Sequence, residues 1–314
     1  VLPDLSDLTH AVTLTPDAAL GIPIALVGAI FLSLGAQFQH RGVGKVGAAG
    51  HMTATSSALS ASQLVQLLRR PSWVTGTLLL GLAIVFQLTS LVLAPLIVVQ
   101  PLGAVALVIT AIVNARVSHV PLTLRGIRAI SFCVVGVALF VTIAAFTATS
   151  GPINESQLVV ILVILGVVTA AFAVAFGFLR RRFKAIIYIV GAGVLYGFVA
   201  TLAKVVIDRI KTLVLYGSST GGFEWLTLTC IIALLAATAL GGYFVQSAYA
   251  SGPPDLVIAG LTVIDPIVAV CIAVVVLQEA AGAPWWAIVA FVVSGVIAVY
   301  GVFQLAKHHP QSRS

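Results

Sequence analysis

Long apolar runs, broken by short polar and mostly basic segments, account for nearly the whole chain. Nine of them reach the ~20 residues a helix needs to cross the hydrocarbon core of a bilayer. They lie at about Ala18–Phe38, Trp73–Ala94, Leu96–Val117, Ile127–Thr147, Gln157–Leu179, Ala185–Val206, Phe223–Tyr243 and a little beyond, Leu256–Gln278 and Trp285–Ala306. The pattern predicts an all-α integral membrane protein of nine transmembrane helices. Its longest polar stretch, 40–72, carries Ala61, Leu64, Val65 and Leu68 at helical spacing, followed by Arg69, Arg70 and Pro71. That spacing predicts a short amphipathic helix on the membrane surface.

Composition agrees. Of 314 residues, 60% are hydrophobic and 8% charged, against about 25% charged in soluble domains. A water-soluble globule, a disordered chain and a fibrous repeat are excluded. The formal net charge of +7 would suggest nucleic acid in a soluble protein. Here the basic residues lie between apolar runs, so they report membrane orientation and no nucleic-acid partner is expected. Cys133, Cys230 and Cys271 each sit in an apolar run without a CxxC pattern and read as core residues.

Alternate segments sort by charge. The segments holding Arg41, Lys45, Arg69, Arg70, Arg116, Arg125, Arg128, Arg180–Arg182, Lys184, Lys307 and Arg313 share one side. Asp4, Asp7, Asp17 and Glu155 lie on the other. The positive-inside rule then predicts the N-terminus outside and the C-terminus inside, which requires an odd number of spans. The acidic N-terminal segment does not resemble a cleavable signal, and the first span is expected to act as an uncleaved anchor.

The chain also repeats itself at an offset of about 160 residues. Gly28-Ala29 through Arg41 aligns with Gly191-Ala192 through Lys204. Gln87 and Pro95 align with Gln246 and Pro254, and Val98-Val99-Gln100-Pro101 aligns with Val263-Ile264-Asp265-Pro266. Val135-Gly136-Val137 aligns with Ser294-Gly295-Val296. Spans one to four thus match six to nine. A displacement of five spans gives the copies opposite topology, a recurring plan of secondary transporters whose site lies near midplane between the repeats. The division predicted is an extracytoplasmic segment 1–17, a first repeat 18–147, a linking span 148–184, a second repeat 185–306 and a cytoplasmic tail 307–314.

Three motifs carry a resemblance: Gln39-His40-Arg41-Gly42, Ala94-Pro95-Leu96-Ile97-Val98-Val99-Gln100-Pro101-Leu102-Gly103-Ala104, and Val275-Val276-Leu277-Gln278-Glu279. With them the chain resembles the drug/metabolite transporter (DMT) superfamily, and within it the nine-span branch of NIPA-type magnesium transporters. The family normally has ten spans in two five-helix copies, so the first copy here resembles one lacking its opening helix. The resemblance implies an inverted-repeat bundle. It implies Mg²⁺ as substrate in the NIPA-like branch, and amino acids, drugs, nucleotide sugars or lipid-linked sugars in the wider superfamily.

Polar groups inside the spans are the candidate site. A charged Asp at a helix centre costs ~2.5–3.5 kcal/mol on insertion scales, and Asp265 lies in the middle of span eight, before Pro266. Proline removes a backbone donor and disfavours helical geometry in the residue before it. A helix break is therefore expected at Pro266, freeing the Thr262 carbonyl, and another at Pro101, freeing that of Ile97. Gln100 is the uncharged counterpart of Asp265, and Gln87 and Gln246 form a second symmetric pair. Asp265, Gln100, Gln87 and Gln246 are the expected substrate-binding set, with Asp265 the metal ligand if the substrate is Mg²⁺. The structural alternative is interhelical hydrogen bonding. Arg41 and Lys204 read as snorkelling side chains or, alternatively, gate charges. Glu279, at the outer end of span eight and symmetric with Asn114 in span three, reads as a solvated carboxylate or an entrance guard.

No nucleophile motif, phosphate loop or His/Cys/carboxylate cluster suggests an enzyme, and no cofactor is expected. The leading reading is a plasma-membrane carrier moving a small polar solute by alternating access. The alternatives are a NIPA-like Mg²⁺ transporter, a lipid-linked sugar flippase and a non-transporting scaffold. Lipid and a small-molecule or ion substrate are the expected partners, with a homodimer left open.

Overall fold

The computed structural model describes residues 16–48, 69–117, 123–149, 151, 153–179, 185–216, 225–251 and 254–307. Ten α-helices make up these residues: α1 (Pro16–Ala48), α2 (Pro71–Leu93), α3 (Leu96–Leu102), α4 (Ala104–Val117), α5 (Leu124–Thr147), α6 (Glu155–Leu179), α7 (Ala185–Tyr216), α8 (Trp225–Ser251), α9 (Pro254–Val275) and α10 (Trp285–Lys307). Because α3 and α4 together form one span, the described residues contain nine helical spans long and apolar enough to cross a membrane. The chain is an all-helical integral membrane protein. The expected surface helix at Ala61, Leu64, Val65 and Leu68 lies outside the described residues, and α1 runs ten residues past the expected end of its span.

Helices in lipid associate by close packing rather than by a hydrophobic drive, so small residues mark their crossings. On α1, Gly21, Gly28 and Gly35 recur every seventh residue along one face. A Cβ on Gly21 would stand 2.7 Å from that of Ala94, and one on Gly35 would stand 3.0 Å from the carbonyl oxygen of Gly76. This stripe seats α1 on α2, the most extensive helix pair of the bundle. Two further extensive pairs are α5 on α10 and α7 on α8. Gly193 and Gly197 of α7 take α9, where Ile264 and Val268 fill the space a Cβ would need.

At the centre lies α3, with Leu96, Ile97, Val98 and Val99 all at 0% exposure. It meets α1, α2, α4, α5, α7 and α9. Pro101 lies inside α3, and Gly103, with helical torsions of φ −57° and ψ −31°, separates α3 from α4. Contrary to the break expected at Pro266, α9 continues through it, with α7 packed against it. Cys133 and Cys230 are buried, but Cys271 is exposed and is not a core residue.

Candidate functional site

Two polar regions occupy the bundle. The first surrounds Asp265. Its residue is only partly buried, yet Oδ1 is fully buried and has no hydrogen-bond partner among the described residues. The backbone of α7 leaves room for it. A Cβ on Gly197 would sit 3.0 Å from the Asp265 carbonyl oxygen, and one on Gly193 3.5 Å from its nitrogen. Tyr196, one turn along the same helix, lies within electrostatic reach of the Asp265 carboxyl and rests against Gly241 of α8. Gln100 is buried, at 6% exposure, on α3, which packs on α9. Gln100 and Asp265, aligned with each other in the sequence, thus ride on adjoining helices.

The second glutamine pair diverges. Gln87 is half-buried on α2, while Gln246 is exposed on α8. The expected four-residue set therefore does not converge as one cluster. Among the described residues no three His, Cys, Asp or Glu side chains stand together as a metal cage.

The second region lies at the α2–α3 junction and follows from backbone accounting. A helix leaves its first N–H groups and last carbonyls without intrahelical partners. Pro95 caps α3 and offers no side-chain bond. Its carbonyl takes the Val98 and Val99 N–H groups at 3.1 and 3.2 Å, which leaves the donors of Leu96 and Ile97. Both are sealed from water, and an unmet buried donor costs ~1–3 kcal/mol. Glu279 meets both: Leu96 N–H donates to Oε1 at 2.9 Å and Ile97 N–H to Oε2 at 2.8 Å. A carboxylate at a helix N-terminus also matches the helix dipole.

On the other side of the junction, the carboxyl end of α2 takes a cation. Lys204 of α7 donates through Nζ to the Leu91 carbonyl at 2.6 Å and reaches that of Ala94 at 3.4 Å. Asp208, one turn further along α7, pairs with the same ammonium at 3.3 Å. Lys204 and Glu279 are each 3% exposed. These are corrections to the sequence reading. Lys204 does not snorkel, and Glu279 is not solvated. Glu279 meets the start of span three, whereas its symmetry mate Asn114 lies near that span's far end. The side chain of Arg41 lies outside the described residues.

The loop that delivers Glu279 is built for the turn. α9 ends at Val275 in a widened turn, with Leu277 N–H bonded to the Ile272 carbonyl at 3.0 Å and Glu279 N–H to that of Ala273 at 3.0 Å. Gln278 adopts φ 55°, in the left-handed region. The chain thereby reverses and points Glu279 inward. Its own carbonyl accepts the Thr149 N–H at 2.8 Å, and Gln157 of α6 donates to the Val276 carbonyl at 2.9 Å. Three inter-helix links are tied together at this end. Burial pushes the Glu279 carboxyl up from 4.5 to about 7, against the lowering pull of its two N–H donors and the Lys204 ammonium. Beside the junction opens a cavity of about 450 Å³, lined by Lys204, Asp208, Asp17, Pro95 and Thr149 among others.

Comparison with known proteins fits this architecture. The family described as "Magnesium transporter NIPA" matches residues 16–218, from the start of α1 to just past α7. A protein of Corynebacterium glutamicum, itself described only as uncharacterized, is 25% identical over 290 residues, covering 92% of this chain and 95% of that one. No solved structure matches the chain. The matched stretch contains Gln100 and Lys204, while Asp265 and Glu279 lie beyond it. With its nine spans and a family match over well more than half its length, the chain is a multi-pass membrane transporter and belongs to the magnesium transporter NIPA family.

Proposed function

We propose that the chain carries Mg²⁺ across the membrane by alternating access, with Asp265 as the acidic group of a transit site at midplane. The family match favours the cation over the polar solutes, lipid-linked sugars and scaffold weighed from sequence alone. The observation that carries the site is the buried Oδ1 of Asp265, which has no partner among the described residues, beside the close-packed Gly193 and Gly197. Intramembrane acids are expensive and mark ion pathways by default. Mg²⁺ dehydrates reluctantly and is held through one or two carboxylates with several waters retained. One carboxylate flanked by Tyr196, with Gln100 on the adjoining helix, suits a weak site that releases its ion.

The test is Mg²⁺ uptake into proteoliposomes, read by an enclosed Mg²⁺-sensitive dye, for the wild type and Asp265→Asn. Asn keeps the shape and removes the charge. The expected result is uptake that responds to membrane potential without an imposed pH gradient, and its loss in the variant while the protein stays folded and inserted. Uptake of Mg²⁺ that is normal in Asp265→Asn overturns the site. Absence of Mg²⁺ uptake in the wild type overturns the substrate. Movement of a polar solute that requires a pH gradient favours the proton-coupled reading instead.

A further inference from the structure

The Lys204 ammonium sits where a metal ion could. Oxygens surround it: the Leu91 carbonyl at 2.6 Å, the Asp208 carboxylate at 3.3 Å and the Ala94 carbonyl at 3.4 Å. An ammonium has three donors and no acceptor, so it fills a set of oxygens as a monovalent cation would. Glu279 lies within electrostatic range of both Lys204 and Asp208. With the ammonium in place, its charge is met by the Asp208 carboxylate. Without it, the Asp208 carboxylate and two carbonyl oxygens remain, a set of hard oxygen donors suited to a divalent cation that keeps several waters. The adjoining cavity, lined by Lys204 and Asp208, gives the flexible four-carbon stem somewhere to go.

We propose that Lys204 is a tethered competitor for the transported cation: its ammonium holds the oxygens of Leu91, Ala94 and Asp208 while this mouth is closed, and a divalent cation entering the cavity displaces it. The inference rests on the divalent-cation reading given above and adds to it a second, gating site away from Asp265. It also accounts for a buried lysine at the edge of the cavity in a transporter of cations. A fixed positive charge there repels the substrate unless it can exchange with it. Displacement frees the carbonyl end of α2 beside Pro95 and loosens one side of the junction that Glu279 clasps on the other.

The experiment uses the wild-type full chain in detergent. Lysines are acetylated with an activated ester in Mg²⁺, and separately in Na⁺ at equal ionic strength. Modification of Lys204 is read by mass spectrometry against Lys211, an exposed lysine of the same helix. Mass action raises the released population by about tenfold when Mg²⁺ stands at about ten times its dissociation constant for the vacated oxygens. Lys204 acetylation is expected to rise by that factor, with Lys211 unchanged. Asp208→Asn, which removes a carboxylate from both competitors, is expected to raise Lys204 acetylation in Na⁺ and to flatten the response to Mg²⁺. Equal Lys204 modification in the two salts overturns the proposal, and so does an Mg²⁺ response that Asp208→Asn leaves intact. Proteoliposome uptake by the same preparation separates the two readings. Mg²⁺ uptake without a labelling response removes the tethered competitor and keeps the transporter. A labelling response without uptake keeps the competitor and removes the Mg²⁺ transport reading.

Discussion

Glu279 holds two buried N–H groups with one carboxylate, and two substitutions at different pH values separate the forces acting on it. Glu279→Ala strips the acceptor from Leu96 and Ile97, both at 0% exposure, where no water can replace it. At ~1–3 kcal/mol for each unmet donor, the loss is about 2–6 kcal/mol. Glu279→Gln keeps one acceptor oxygen and loses about half as much. Burial of the charge works in the opposite direction. The carboxyl rises from 4.5 to about 7 in the folded protein, so the native state binds a proton more tightly than the unfolded chain. Stability from this group is therefore fully present below pH 4.5 and is lost as pH rises through about 7. At about 1.4 kcal/mol per pKa unit, that interval amounts to about 3 kcal/mol. Neither variant has the titrating group, so neither has that slope. Thermal unfolding in one detergent is expected to rank the wild type above Gln and Gln above Ala at pH 5. The gap between the wild type and each variant is expected to narrow at pH 8, while the Gln–Ala difference stays the same. A wild-type gap that stays constant or widens with pH would refute the reasoning, because the two N–H bonds would then outweigh the burial of the charge.

Three further substitutions probe other parts of the fold. Gln278 sits at φ 55°, where a side chain costs ~1–2 kcal/mol. Gln278→Gly is expected to stabilise the fold by up to ~1 kcal/mol after glycine's entropy loss, read as a modestly higher melting temperature, and a lower melting temperature would count against the strained turn. Gly301 of α10 lies against the backbone of Cys133 on α5, so Gly301→Ala forces that pair apart. A loss of ~1–3 kcal/mol is expected as reduced yield of monodisperse protein, and an unchanged melt would show that the pair can shift freely. Single cysteines at Ser6 and Ser312, in a background without native cysteines, are expected to label from opposite faces of the membrane. Labelling of both from one face would overturn the predicted orientation of the termini.

The sequence revealed the spans because their signal is one of length and hydropathy, and every apolar run became a helix. It also pointed to the crowded central helix around Pro101, where Gly103 separates α3 from α4. The break expected at Pro266 did not form. Proline's local effect is identical there, but α9 continues through it, with α7 pressed close against it at Gly193 and Gly197. That contact belongs to the tertiary structure, and spacing along one helix does not report it. The repeat was equally one-sided as a guide. It paired Gln87 with Gln246, yet one is half-buried and the other exposed, since alignment preserves position along a helix and not its surroundings.

Glu279 and Lys204 show why charge near a span end is hard to read. Each stands where a charge usually reaches water, and each is instead drawn inward by a demand in a different part of the chain. That demand is the Ala94-Pro95 junction, where α2 ends and α3 begins inside the protein. The proline was visible, and with it the fact that two helix ends meet there with bare carbonyls on one side and bare N–H groups on the other. Had the junction been known to be buried, a cation and an anion would have been required within reach. The chain has nine acidic residues, so the choice of anion was small. Separations in sequence of 113 residues for Lys204 to Leu91 and 183 for Glu279 to Leu96 hid the answer. The α2–α3 junction supplies the break, and α7 and the loop after α9 supply the two charges that close it. The buried ends of α2 and α3 therefore draw their partners from elements more than a hundred residues further along the chain.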